Sequence, residues 1–426
     1  MIESSSLPIN NIPEFKEKLL YWANQFPVFI CLDNNEVESP FQQEEFLVAI
    51  DQVKQLSLST ESKQFEQLKA FQQSTSSTIY GYLSYDLKNE IEDLQSKNTD
   101  ELNFPSLYFF EARYTFSINE GRCTINRSTL EALQLIEQIE AIQINQNPIH
   151  ADPLKWESRM EKKEYLNHIK KIQHDIIEGT VYELNFCREI YVNTNSFKSL
   201  EAFVQINHKA KAPFSSYLKM EDKQILCFSP ERFMKHESGR VISQPIKGTV
   251  KKGKSVEENE ALKKALLNDE KERAENVMIV DLVRNDFARS SKPGSVNVDE
   301  LFGIYEFENI IQMVSTVSAE LREDIHPLDA LKNAYPMGSM TGAPKIKAMQ
   351  LIEAYEQTKR GVYSGALGYI KPNLDFDFNV LIRTLIYDES KHYLSLHIGG
   401  AITYDAIPEK EWEETCVKAK SILDFL

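Results

Sequence analysis

The sequence predicts an α+β fold built on antiparallel sheets. Three observations carry this: short β-like runs come in groups, helical stretches separate the groups, and the regular strand–helix–strand alternation of a parallel sheet is missing. In chain order, residues 28–32 (Val-Phe-Ile-Cys-Leu) and 106–110 (Ser-Leu-Tyr-Phe-Phe) read as strands. Residues 42–56, between them, read as an amphipathic helix. Residues 142–153 are polar with two prolines and mark a joint. Beyond it, residues 162–179 form a helical stretch that stops at Gly179. A long helical region spans residues 255–286, with Leu262, Leu266, Val277, Ile279, Val280 and Val283 at its apolar positions. Residues 361–370, 378–387 and 393–403 read as strands with turns between them, and a last helix starts near Pro408 and runs to the C-terminus.

At 426 residues the chain has room for one large or two ordinary domains with an ample core. A composition of 42% hydrophobic and 26% charged residues, without an apolar run long enough for a membrane span, is that of a soluble globular protein. Residues 1–4 do not begin a signal peptide, since no basic stretch leads into an apolar one. Cys31, Cys123, Cys187, Cys227 and Cys416 are scattered and form no CxxC, so neither a disulfide framework nor a zinc site is indicated, and a reduced cytoplasm is the expected compartment. The net charge of −16 argues against nucleic acid as a partner. It also requires that any small anionic substrate be met by local positive charge, from Arg or Lys, from backbone amides, or from a divalent cation. The eight histidines show no metal-binding spacing, so an expected metal is a hard ion on carboxylates.

Three constellations carry chemistry. Lys247, in Pro245-Ile246-Lys247-Gly248-Thr249, follows Glu231, in Ser229-Pro230-Glu231-Arg232-Phe233, by sixteen positions. The first word suits a strand end that delivers an amine to a cleft. The amine becomes nucleophilic when desolvation lowers its pKa, and a carboxylic acid held nearby can protonate a departing oxygen. Glu411 and Glu414, spaced i, i+3, share one helix face, and Glu275 abuts an apolar run that should be buried. Such carboxylates suit magnesium, which keeps waters and bridges to an anionic ligand. Anion recognition is offered by Gly338-Ser339-Met340-Thr341-Gly342-Ala343-Pro344-Lys345 and by Gly399-Gly400-Ala401, the latter expected as a turn of free amides. Tyr363 and Arg383, on two β-like runs, could clamp a carboxylate, while Lys418 lies one turn beyond Glu414.

Together these words resemble the chorismate-utilising enzymes, in motifs that span residues 162–426 in the expected order; residues 1–150 match only loosely, through Gly81-Tyr82-Leu83-Ser84-Tyr85-Asp86. The resemblance implies a large single body of antiparallel sheets flanked by helices, with an amino-terminal subdomain (1–150) and a chorismate-binding catalytic domain (158–426). It implies that Glu275 and Glu414 bind Mg²⁺ directly and Glu411 through water, against the ring carboxylate. It implies that Tyr363, Arg383 and the amides around Thr341, Gly342, Ala343, Gly399 and Gly400 grip the enolpyruvyl carboxylate, with Lys418 as a further contact. Lysine in the middle of the Pro-Ile-Lys-Gly-Thr word is similar to component I of aminodeoxychorismate synthases, whereas component I of anthranilate synthases typically has alanine there. In the former, the lysine attacks C2 of chorismate while the glutamate protonates the leaving C4 hydroxyl.

Some positions depart from the family pattern. Gln312 stands where histidine is usual and cannot carry a proton, which suits an enzyme that leaves the pyruvyl group in place. Glu183 replaces a usual glutamine and is not the lysine that isochorismate and salicylate synthases use as base. The tryptophan pocket of part of the family is eroded around residues 210–215, so feedback by tryptophan is not expected. No cysteine sits in a glutaminase-like elbow, so ammonia is expected from solution or from a separate glutamine amidotransferase subunit. The rival expectations are an anthranilate synthase component I and a catalytically silent chorismate-binding subunit. No nucleic-acid or membrane partner is expected.

Overall fold

The computed structural model describes residues 4–37, 41, 45–59, 62–144, 149 and 154–426. The amino-terminal part comprises β1 (Ser5–Pro8), α1 (Ile12–Ala23), β2 (Val28–Asp33), β3 (Phe46–Leu58), α2 (Gln64–Gln73), β4 (Ile79–Leu83), α3 (Lys88–Ile91), β5 (Leu107–Asn119), β6 (Arg122–Ile125) and α4 (Thr129–Glu140). The remainder begins with β7 (Glu157–Ser158), α5 (Lys162–Ile177), β8 (Glu183–Asn193), α6 (Ser199–Ala210), β9 (Phe214–Met220), β10 (Lys223–Ser229), β11 (Arg232–Glu237), β12 (Arg240–Gln244) and β13 (Ile246–Lys251). It continues through α7 (Val256–Leu267), α8 (Glu270–Ala288), β14 (Asn297–Glu306), β15 (Ile310–Glu320), α9 (Pro327–Ala334), β16 (Gly342–Ala343) and α10 (Lys345–Tyr355). It ends with β17 (Ala366–Ile370), β18 (Phe376–Asn379), β19 (Thr384–Asp388), β20 (Tyr393–Ile402) and α11 (Pro408–Leu423).

The strands pair antiparallel and join into one hydrogen-bonded network, as the α+β expectation required. Sheet ladders stitch the amino-terminal strands to the rest: β2 pairs β9, with Ile30 opposite Leu218, and β4 pairs β17, with Gly81 opposite Gly368. Successive residues of β2 and β3 alternate between two apolar cores. Val28, Ile30, Leu47 and Ala49 point into one, and Phe29, Cys31, Phe46, Val48 and Ile50 into the other. The second core also takes in Phe15 and Leu19 of α1, Ala132 and Leu135 of α4, Leu200 and Phe203 of α6, and Ala419 and Ile422 of α11. The sheet is therefore buried on both faces, with helices over the second.

That double burial explains one correction. Residues 42–56, expected as a helix, are largely the strand β3, held by β2 on one edge and β5 on the other; residues 42–44 lie outside the described residues. Phe46-Leu47-Val48-Ala49-Ile50 is apolar without a break because both faces are covered, so its sequence shows no period of two. The joint at 142–153 falls mostly outside the described residues.

The expected helix over 255–286 is two helices, α7 and α8, interrupted at Asn268-Asp269. Ser255 caps the first, its Oγ accepting from Glu258 N at 3.1 Å, and Asp269 caps the second, its Oδ1 accepting from Glu272 N at 3.0 Å. The restart sets the direction of α8, the helix that carries Glu272 and Glu275. Asp269→Ala is expected to lower stability by about 1 kcal/mol and Asp269→Asn by much less, because asparagine also caps. Urea unfolding of the two variants checks the ranking.

Candidate active site

Lys247 is the second residue of β13, and the chain bulges immediately after it. Gly248 has φ +83°, and the register against β15 slips between Ile246 and Thr249. A Cβ on Gly248 would sit 2.9 Å from Leu266 Cδ1, so both conformation and space call for glycine. Gln312 on β15 donates to Thr249 Oγ1 at 3.0 Å and fixes the strand past the bulge. The Lys247 ammonium donates to Glu183 Oε1 at 2.8 Å and lies 3.7 Å from Glu275 Oε2. The expectation of a depressed amine pKa is not met. Burial does pull it down, but Glu183, Glu275 and Glu231 together outweigh burial and hold the amine above the ordinary lysine range.

Glu231 lies just past β10, with its amide donating to Ser229 Oγ at 3.1 Å and its carbonyl accepting from Val380 N at 3.0 Å. Burial raises its pKa from 4.5 to about 7, against the opposing pull of the Ser339 hydroxyl, Lys247 and Arg383. The carboxyl thus keeps its proton up to near neutrality. Tyr363 and Arg383, expected on strands, lie instead in the irregular segments before β17 and between β18 and β19. Ser364 at φ +63° and Arg383 at φ +52° adopt left-handed backbone that breaks a strand. Backbone bonds from Ser364 N to Leu381 O (2.9 Å) and from Leu381 N to Gly365 O (2.8 Å) clamp the two segments together. The Tyr363 ring stacks on His397 at 5.3 Å, and its hydroxyl faces Cys187 Sγ at 3.6 Å. Burial lowers the pKa of Arg383, and Glu231 is the charged neighbour that opposes this.

Gly342-Ala343 is a short strand against β8, with Gly342 opposite Leu184, and Asn185 N donates to Thr341 O at 2.8 Å. Thr341 directs its own amide (3.0 Å) and hydroxyl (3.2 Å) to Gly338 O, so it holds the loop together instead of presenting open donors. Gly399 and Gly400, expected as a turn, lie within β20 opposite Cys187 and Phe186 of β8; the ladder runs unbroken through them. What glycine provides at 400 is room for a helix: a Cβ there would be 3.3 Å from Glu414 Oε1 and 3.5 Å from Lys418 Nζ.

The predicted carboxylates come near Lys247 from two helices, Glu275 from α8 and Glu411 and Glu414 from α11. Burial and then the charge of Glu414 raise the pKa of Glu411 to about 7, with Glu275 adding to the effect. Burial also opposes ionisation of Glu414, but Lys418, 2.7 Å away, outweighs it and keeps that pKa below the ordinary value. Lys418 further donates to Gly399 O at 2.9 Å. Lys271 lies 3.8 Å from Glu275. Among the described residues no three His, Cys, Asp or Glu side chains converge on one point; lysines hold the carboxylates instead. Hard oxygens that repel one another across a cleft are still a donor set suited to a small hard dication.

Sequence reasoning marked Glu183 as a departure but missed its contact with Lys247. Its Oε2 is buried and has no hydrogen-bond partner among the described residues. Also missed was the pair Glu356–Arg360, at 2.6 Å and almost fully buried. Between β16 and β7, which pairs with Ile190 and Tyr191, that edge of β8 has no strand beside it, and this pair takes the place: Glu356 Oε1 accepts from Cys187 N and Arg360 donates to Asn185 O, both at 2.8 Å. The two lie beyond the end of α10 with Gln357-Thr358-Lys359 between them, so no helical or apolar pattern marked them.

Residues 23–424 match the profile of the family described as chorismate binding enzyme. The chain is 33% identical to an aminodeoxychorismate synthase component 1 of Escherichia coli, over 81% of this chain and 76% of that one. It is 31% identical to an anthranilate synthase component 1 of Aquifex aeolicus, over 81% and 73%. In fold it is similar to the crystal structure of anthranilate synthase component I from Streptococcus pneumoniae, with a TM-score of 0.79 and 24% identity over 91% of this chain and 93% of that one. It is also similar to the menaquinone-specific isochorismate synthase of Escherichia coli, with a TM-score of 0.77 and 18% identity over 100% and 94%.

Lys247→Ala leaves the Glu183 carboxylate, 2% exposed, without its ammonium. A loss of about 3–5 kcal/mol is expected, most of it recovered when Glu183→Gln is added. Urea unfolding of the single and double variants checks this; a double variant no more stable than Lys247→Ala alone would show that the two groups do not depend on each other.

Proposed function

The chain belongs to the chorismate-binding enzyme family, and we propose that within it the protein converts chorismate and ammonia to 4-amino-4-deoxychorismate, on the route to p-aminobenzoate and folate. The observation that carries this reading is the pairing of a buried lysine amine, held at 2.8 Å by Glu183, with a buried carboxylic acid whose proton persists to about pH 7. Similarity to a relative named aminodeoxychorismate synthase component 1 supports it. The "component 1" in the names of relatives supports a separate amidotransferase as the ammonia source. Among the described residues no helix is long and apolar enough to cross a membrane, and all five cysteines are free, in keeping with a reducing cytoplasm.

In this reading Lys247 sheds a proton along its hydrogen bond to Glu183 and attacks C2 of the ring. Glu231 protonates the C4 hydroxyl, which leaves as water while the two ring double bonds shift. Ammonia then attacks C4, the double bonds shift back, Lys247 departs as the neutral amine, and the surplus proton returns to Glu231. Arg383 and Tyr363 orient the side-chain carboxylate, aided by the short strand Gly342-Ala343 and by Lys418, so that reacting atoms meet at low entropic cost. Magnesium held by Glu275 and Glu414, with Glu411 through a water, would offset the charge of the ring carboxylate.

Incubation with chorismate, Mg²⁺ and ammonium is expected to yield 4-amino-4-deoxychorismate with the enolpyruvyl group intact, identified by mass spectrometry. Stoichiometric pyruvate with fluorescent o-aminobenzoate would replace this reading with the anthranilate one, which the Aquifex aeolicus relative favours.

The pH dependence follows from Glu231. Its raised pKa of about 7 means the acid form is present below that value and lost above it. The rate of C4–O cleavage should therefore fall as pH rises through about 7, and in Glu231→Gln it should be lost at every pH. Single-turnover kinetics across pH tests both statements.

A further inference from the structure

A small cavity of about 10 Å³ lies beside Glu231, lined by Ser243, Ser339, Asp286 and Ala334 and walled by Phe233 and Phe287. That is the room of one water molecule. Neither Lys247 nor Arg383, Tyr363 or Lys418 lines it, so of the groups assigned above to catalysis and substrate binding it includes only the acid. Its polar groups suit a small hydrogen-bonding guest. Ser339 is 8% exposed, and its hydroxyl lies near enough to the Glu231 carboxyl to pull its pKa down without closing a hydrogen bond to it or to any other described residue. A guest molecule would supply the hydrogen bond that this buried hydroxyl lacks. The charge in the wall is already matched, because Asp286 Oδ2 is 2.6 Å from Lys345 Nζ. With that charge matched and burial favouring the neutral form of Glu231, a neutral guest suits the cavity.

The proposed amination moves one such molecule out and another in at this carboxyl in every turnover. Breaking the C4–O bond with the proton of Glu231 releases water. Forming the C4–N bond consumes ammonia and gives a proton back to Glu231. Both are neutral hydrides of similar size that donate and accept hydrogen bonds. We propose that the cavity beside Glu231 is the exchange pocket of the reaction, taking up the departing water and admitting the ammonia that replaces it. This rests on the amination reading.

Two measurements test it. A high-resolution crystal structure of the unaltered protein is expected to show one ordered molecule hydrogen-bonded to Ser339 and Glu231; an empty cavity overturns the proposal. Ala334→Val fills the cavity from a wall residue that has no part in the catalytic or binding set. In the folded variant, with chorismate binding unchanged by fluorescence titration, the KM for ammonium should rise about tenfold, the order of one lost hydrogen bond. An unchanged KM overturns the proposal. The product formed by the unaltered protein tests the amination reading separately. If that product is 4-amino-4-deoxychorismate and the KM does not move, the pocket assignment alone is wrong.

Discussion

The buried pair Glu356–Arg360 is the constraint on which the site depends. β8 carries Glu183, Asn185 and Cys187 along one face, and β20 covers only one of its edges. On the other edge β16 reaches no further than Leu184 and Glu183. An unpaired edge buried at that point would leave backbone donors and acceptors unsatisfied. The carboxylate and guanidinium fill that place, and Arg360 also bonds Met340 O, tying in the loop before Gly342. One ion pair thus fixes β8, the 338–343 loop and, through the Tyr363 N–Arg360 O bond, the turn that holds Tyr363. Removing either partner would leave the other charge buried and alone, the costly way to break such a pair.

The cleft repeats this arrangement at its surface. Glu183 and Glu275 are met by Lys247, and Glu414 by Lys418. An acidic chain thus holds its cleft carboxylates with its own ammonium groups. Lysines hold these carboxylates as single charges on flexible stems, contacts that a ligand or an ion bringing other charges could replace. Lys247 makes the point most sharply: the same carboxylates that position its amine also keep it protonated.

Much of this was legible in the sequence. Glu231 and Lys247 stood out in short words, in one of which Gly248 has a backbone reason, and each group lies near enough to shift the other's pKa. The i, i+3 spacing of Glu411 and Glu414 correctly put both on one face of α11. What stayed hidden was tertiary. β3 lost its alternation because both faces are buried. Tyr363 and Arg383 sit where left-handed residues interrupt the strands, and no local pattern marks a left-handed arginine. Gly399 and Gly400 resembled a turn because their actual reasons are distant in sequence: Cys187 and Phe186 of β8 crowd Gly399, and α11 approaches Gly400. Glu183 was visible as an odd residue, but its partner is 64 positions distant.

The pairing of β4 with β17 has a consequence during synthesis. Tyr82 lies opposite Leu367, so nearly three hundred residues must follow β4 before its partner exists. On the ribosome, the amino-terminal strands emerge with that edge bare, and an unpaired apolar edge is a template for mispairing with neighbouring chains. That edge stays open to mispairing until β17 has cleared the exit tunnel.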